Sequence, residues 1–203
     1  MIGFESLDLN SISEVFLYDR DRPMIFSSSI FLFLFTAFFG AYILIEKSKD
    51  LRIIYVILFS LFFYYKSSGY YFWILILSTV VDFYLGRWMH QTKDPGSRKL
   101  LLIASLCSNL GILAYFKYTN FFIDTFNSAF SSSINHADIF LPVGISFYTF
   151  QTIGYTVDVY RGKIPVERSL LNFAVYVAFF PQLVAGPIVR ASNFLPQLRE
   201  DQR

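Results

Sequence analysis

The sequence has almost none of the residues on which soluble catalysis, metal binding or cross-linking usually rest. A single cysteine, Cys107, excludes an intrachain disulfide and leaves no CxxC pair or Cys/His zinc spacing. It sits inside an apolar run and reads as a small buried hydrophobe. There are only two histidines, His90 and His136, both in loops between apolar segments, where neither pKa nor reach to a substrate is controlled. Charged residues make up 16% of the chain, well short of the quarter usual in a soluble domain. With a net charge of +2 the chain has no electrostatic footprint for a nucleic-acid partner. No GxSxG, P-loop or strand-borne GxGxxG occurs, and no internal repeat is evident. The first residues carry no basic region ahead of an apolar core, which excludes a secretory signal peptide.

What the chain does have is apolar surface. Apolar residues are 55% of the total and aromatics 20%, with 25 phenylalanines, so lipid is the solvent this composition suits. The run 24–45, "MIFSSSIFLFLFTAFFGAYILI", carries no charge and matches the roughly 20 residues a helix needs to cross a bilayer. Further apolar runs cover 53–65, 67–81, 100–116, 139–157 and 169–189. The expectation is an all-α, multi-spanning helical membrane protein with about six embedded segments, the last two of them broken or re-entrant. Residues 1–23 read as a polar N-terminal extension, and 24–203 as the membrane domain.

Basic residues set the expected orientation. Lys47, Lys49, Arg52, Arg87, Lys93, Arg98, Lys99, Arg161, Lys163 and Arg168 fall in alternate loops, while the remaining loops hold only Lys66 and Lys117. The positive-inside rule places the basic loops in the cytoplasm and the N-terminus outside. Lys66 and Lys117 are expected to snorkel to the membrane interface.

Ionisable residues at membrane depth are costly and are therefore functional candidates. Asp82 in "STVVDFYLGR" reads as an interfacial ion pair with Arg87, or as a functional carboxylate. Asp158 has Arg161 at i+3, within pairing distance on a helix, and reads either as a helix-end pair or as a site residue. The stretches "LPVGISFYTFQTIGY" and "FFPQLVAGPIVR" place Pro142, Gly144, Pro181, Gly186 and Pro187 where an unbroken span would otherwise run. Proline removes a backbone donor and obstructs the preceding turn, so such segments break. Broken helices expose free backbone groups to a buried ligand, or else pack as simple kinks. Gln151, Gln182 and Arg190 are the polar residues set among these breakers.

From "LPVGISFYTF" to "SNFLPQL" the sequence resembles the membrane-bound O-acyltransferase (MBOAT) family, in its alginate O-acetylation branch. The upstream "MIFSSSIFLFLF", "LFSLFFYY", "STVVDFYLGR" and "NLGILAYFKYTNFF" follow in the same order, so the resemblance covers nearly everything from Met24 onward. It implies a bacterial inner-membrane enzyme with no bound cofactor, passing an acyl group toward an extracellular polysaccharide. The donor would be cytoplasmic, acetyl-CoA being the candidate. Membrane lipid, an extracytoplasmic acetyltransferase or polysaccharide-export proteins would be its partners. The family's essential histidine would lie beyond Arg203, so no catalytic residue is assigned and the chain reads as an N-terminal portion. Asp158, Tyr160 and Arg161 match the "DVYR" motif. Pro181, Gln182, Gly186, Pro187 and Arg190 match the broken segment, and with Gln151 they are the expected cavity or motif residues. No metal site is expected. The alternatives are a non-catalytic membrane subunit that docks a partner, or a transporter built on the broken helices.

Overall fold

The computed structural model describes residues 17–20, 23–45, 48–187 and 189–199. Every regular element among them is helical. In chain order these are α1 (Ser29–Leu44), α2 (Lys49–Ser68), α3 (Phe72–Gln91), α4 (Pro95–Leu113), α5 (Thr119–Phe130), α6 (Ile145–Tyr160), α7 (Leu170–Ala178), α8 (Phe180–Ala185) and α9 (Ala191–Arg199). The chain divides into two compact units, Met1–Phe72 and Trp73–Arg203.

In the first unit, α1 starts where the Ser28 hydroxyl accepts the Phe31 N–H at 3.2 Å, satisfying one of the donors a helix start leaves open. Aromatic rings then join α1 to α2. Phe38 stacks on Tyr55 and packs against Phe59, with centroids 4.9 and 4.2 Å apart, and Phe63 gathers Phe26 and Phe31. Lys66 does not snorkel to an interface as expected. Its side chain is 5% exposed, and its ammonium donates to the Leu17 carbonyl oxygen. A backbone acceptor near the chain start thus takes the place of water. Residues on both sides of position 23 pack on α2, because the Tyr18 N–H also reaches the Tyr65 hydroxyl at 3.3 Å.

In the second unit, α4 opens with Asp94 as its cap and Pro95 in the first turn, where proline's missing donor costs nothing. The Ser97 N–H donates to Asp94 at 2.7 Å and holds its carboxyl below the usual range. The expected segment 100–116 is too short. Helix continues from Pro95 to Phe130 through a π-helical turn at Ala114–Tyr118. Hydropathy falls at Lys117, Asn120 and Asp124, but backbone hydrogen bonding does not stop there. Near the join of the runs 53–65 and 67–81, Ser67 and Ser68 close α2 and a single 3-10 turn, Gly69–Tyr71, leads into α3. The segment 139–157 is irregular only at its head: Pro142 and Gly144 precede α6, which runs unbroken past Gln151 and Gly154.

The second unit buries a polar cluster within its apolar core and exposes many apolar side chains; Cys107, expected to be buried, is exposed among them. Ser78, Thr79, Asp82, Ser105, Asn109, Thr152 and Thr156 are buried, while Leu77, Leu100, Ile103, Leu110, Phe121 and Phe122 are exposed. Water would favour the reverse; lipid tolerates an apolar exterior and requires buried polar groups to find partners. The helical stretches Lys49–Gln91 and Pro95–Phe130 are long and apolar enough to cross a membrane, and Ser29–Leu44 is a shorter apolar helix.

At the centre of this unit α3, α4 and α6 meet through one hydrogen-bonded cluster. The Asn109 amide donates to both oxygens of Asp82 at 2.8 Å, and the Ser105 hydroxyl donates to Asp82 at 2.6 Å. Thr152 donates to the Asn109 side-chain oxygen at 2.9 Å. The expected Asp82–Arg87 interfacial pair is therefore incorrect. Asp82 is fully buried among these partners, and the Arg87 guanidinium lies over the Phe83 ring, 5.7 Å from its centre. Five residues separate the two on α3, about 140° out of phase, so they leave the helix on different faces.

A broken-helix cleft as the candidate functional site

The segment that the sequence marks as broken is broken between α7 and α9. Phe179, with φ −57° and ψ 109°, ends α7 and at once caps α8. Pro181 falls in the first turn of α8, where no helical donor is lost. At Gly186 the chain leaves the helix, with φ −85° and ψ 158°. A Cβ there would stand 2.6 Å from the Gln182 Cα, so glycine is what permits the tight exit. Gly144, at φ 75°, caps α6, and a Cβ on it would collide with the Leu183 carbonyl oxygen. The two breaker-rich stretches thus touch, backbone against backbone, at Gly144 and α8.

A cleft of about 420 Å³ opens between α6, α7 and the chain that follows the break. Its polar lining comprises Gln151 and Asp158 of α6, Arg161 and Lys163 just beyond it, Tyr176 of α7, and Arg190 after the break. Phe150, Ile153, Val157 and Val189 supply apolar wall. Of the expected site residues, the cleft gathers Gln151, Asp158, Arg161 and Arg190. Tyr160, Pro181, Gln182, Gly186 and Pro187 do not line it. Tyr160 instead serves as an anchor: its carbonyl accepts from the Arg98 guanidinium at 3.0 Å, and its ring lies under the same group. Gln182 has a buried side-chain oxygen with no donor among the described residues.

Asp158 does not pair with Arg161, and it forms no ion pair among the described residues. Arg161 is the residue at which α6 ends, and it projects to the exposed surface. The Asp158 carbonyl accepts the Lys163 N–H at 2.9 Å, closing the turn that ends α6. One carboxylate and three cationic side chains therefore share the cleft. Such a lining suits an anionic or strongly polar ligand, because guanidinium groups donate in a fork matched to carboxylate and phosphate.

Tyr176 is the site residue that sequence reasoning missed. It is 1% exposed, its hydroxyl lies 3.2 Å from the Gln151 carbonyl and 3.3 Å from that of Val189, and its own carbonyl accepts the Gln151 side-chain amide at 2.5 Å. It ties α6 to the far side of the break. The available signal was a phenol in a mostly apolar stretch, which must find an acceptor once buried. The two histidines lie elsewhere. His136 meets Asp124 at 2.6 Å on the exposed surface, and His90 lines a different cleft.

The chain is similar to several named proteins. A protein of Pseudomonas syringae pv. tomato, named "probable alginate O-acetylase AlgI", is 39% identical over 187 residues, which is 86% of this chain and 34% of that protein. A "peptidoglycan O-acetyltransferase" of Helicobacter pylori is 31% identical over 94% of this chain and 40% of its own length. The chain belongs to the membrane-bound O-acyltransferase family. A Pseudomonas aeruginosa protein with the AlgI name is 36% identical over 86% of the chain and 34% of itself. The chain thus spans about a third of the length of the curated relatives it matches. No family model and no solved structure matches it.

Proposed function

We propose that this chain forms part of an O-acyltransferase that passes an acetyl group toward an extracellular polysaccharide, and that it supplies the wall of the reaction cavity. The observation that carries this reading is the convergence of Gln151, Asp158, Arg161 and Arg190 on one cleft at the broken helix. The names of its relatives supply the chemistry: alginate O-acetylase and peptidoglycan O-acetyltransferase. Neither histidine of the sequence faces the cleft, so in this reading the general base comes from outside these 203 residues.

In this proposal the protein sits in the bacterial inner membrane through about six embedded segments, with its N-terminus outside. Two basic loops meet at one end of the second unit: Arg98 binds the Tyr160 carbonyl, and Arg87 and Arg168 share a cleft. That supports a common cytoplasmic side for both loops and a donor such as acetyl-CoA entering there. An extracytoplasmic acetyltransferase or an export protein would receive the group on the other side. The deciding experiment measures base-labile O-acetyl groups on the secreted polysaccharide of cells carrying Asp158→Asn or Arg190→Gln. Loss of most of the acetylation, with the protein still present in the membrane, is expected. Unchanged acetylation in both variants overturns the assignment.

The placement of the histidines also favours a second reading, a non-catalytic subunit that docks the partner bearing the base. Stable, folded accumulation of the chain without that partner distinguishes it.

A further inference from the structure

A second cleft lies in the same unit, between the C-terminal end of α3 and the loop ahead of α7, with a volume of about 290 Å³. Its lining is Arg87, His90, Gln91, Val166 and Arg168: two guanidinium groups, an imidazole, an amide and one aliphatic side chain. No carboxylate lines it. The nearest acid in sequence, Glu167, is 3% exposed and already committed. One of its oxygens accepts the Arg168 and Ser169 N–H groups at 2.8 and 2.9 Å, and the other accepts Arg199 at 2.7 Å. Asp82, further back on α3, is held by Ser105 and Asn109.

Neither Arg87 nor Arg168 forms an ion pair among the described residues. Arg87 is held over the face of Phe83, which positions its guanidinium without neutralising it. A basic residue near a helix C-terminus is ordinary, since the helix dipole favours it there. Two arginines from separate elements lining one acid-free cleft are different, because their like charges favour an anion held between them. Paired guanidinium forks match the oxygens of a phosphate, and hydrogen bonds between charged partners are the strong ones.

We infer that Arg87, Arg168 and His90 form a binding site for a phosphate ester, carried either by a lipid headgroup or by a soluble ligand. The inference rests on the lining of this cleft; the acyl-transfer reading uses its two arginines only to place both basic loops on one side, so phosphate binding here and acyl transfer can fail separately.

The test uses the full chain in phosphatidylcholine nanodiscs, with inorganic pyrophosphate as the soluble probe and added phosphatidylglycerol as the lipid probe. Affinity for pyrophosphate is read by calorimetry and retention of phosphatidylglycerol by native mass spectrometry. An Arg87→Gln/Arg168→Gln double variant is expected to weaken binding of whichever probe is held by about tenfold or more, the scale of a lost charge-assisted bond. Lys117→Gln, remote from the cleft, should bind as wild type, and circular dichroism confirms that the variants keep their helix content. Pyrophosphate binding that the double variant loses supports a soluble phosphate ester. Selective retention of phosphatidylglycerol, lost in the same variant, supports a lipid headgroup. Binding of neither probe, or binding that the folded double variant leaves unchanged, overturns the site.

Discussion

The side-chain amide of Asn109 spans both carboxylate oxygens of Asp82, at 2.8 Å each, across the α3–α4 contact. A carboxylate this deeply buried is tolerated only when its lone pairs are used, and here Asn109 and Ser105 use them. Asn109 in turn accepts from Thr152, so the same residue ties in α6 and through it the wall of the candidate cleft.

Removing one partner should therefore cost more than removing both. Asn109→Leu strands a buried carboxylate and is expected to destabilise the protein by about 1–3 kcal/mol. Adding Asp82→Leu to that background should recover part of the loss, because an apolar pair of similar volume leaves nothing unsatisfied. Thermal unfolding in detergent of the two single variants and the double variant measures this. A double variant less stable than Asn109→Leu alone would show that the cluster contributes more than satisfaction of the carboxylate.

Gly144 offers a separate test of the contact between the head of α6 and α8. Any side chain there meets the Leu183 carbonyl oxygen, a backbone atom that cannot swing aside, and must also accept φ 75°. Gly144→Ala should cost about 2–4 kcal/mol. Gly154→Ala, on the same stretch with open space around it, should be neutral or slightly stabilising. Parallel thermal-unfolding curves discriminate between them, and equal effects would exclude the close approach.

Helical class and the broken segment were both legible in the sequence, for physical reasons. Apolar runs of spanning length and the breakers Pro181, Gly186 and Pro187 act locally, so the chain declares them without its neighbours. The "DVYR" motif and the broken segment "FFPQLVAGPIVR" marked Asp158, Arg161 and Arg190, and the fold brings those three together. What stayed hidden depends on direction and distance. Asp82 lies near Arg87 in sequence, yet about 140° around the helix separates their faces, and its true partners are 23 and 27 residues away. Lys66 found its acceptor 49 residues earlier, at Leu17. The continuation of α4 through a π-helical turn into α5 was obscured because hydropathy reports solvent preference, whereas helices persist through polar turns when backbone bonds are kept.

Tyr176 tests whether the break is held for function or only for stability. Its hydroxyl touches the carbonyls of Gln151 and Val189, one on each side of the cleft. Tyr176→Phe removes that link while keeping the ring, which packs on Tyr155, Phe173 and Phe194. Stability should fall by only about 1 kcal/mol, the usual net worth of a hydrogen bond. Polysaccharide O-acetylation should fall much further, about tenfold or more, because small misplacements in a reaction cavity are costly to rate. If acetylation instead follows stability and is restored at lower growth temperature, Tyr176 is a structural strut. A deep loss of acetylation in a variant that unfolds near the wild-type temperature assigns it to holding Gln151 and Arg190 in register across the break.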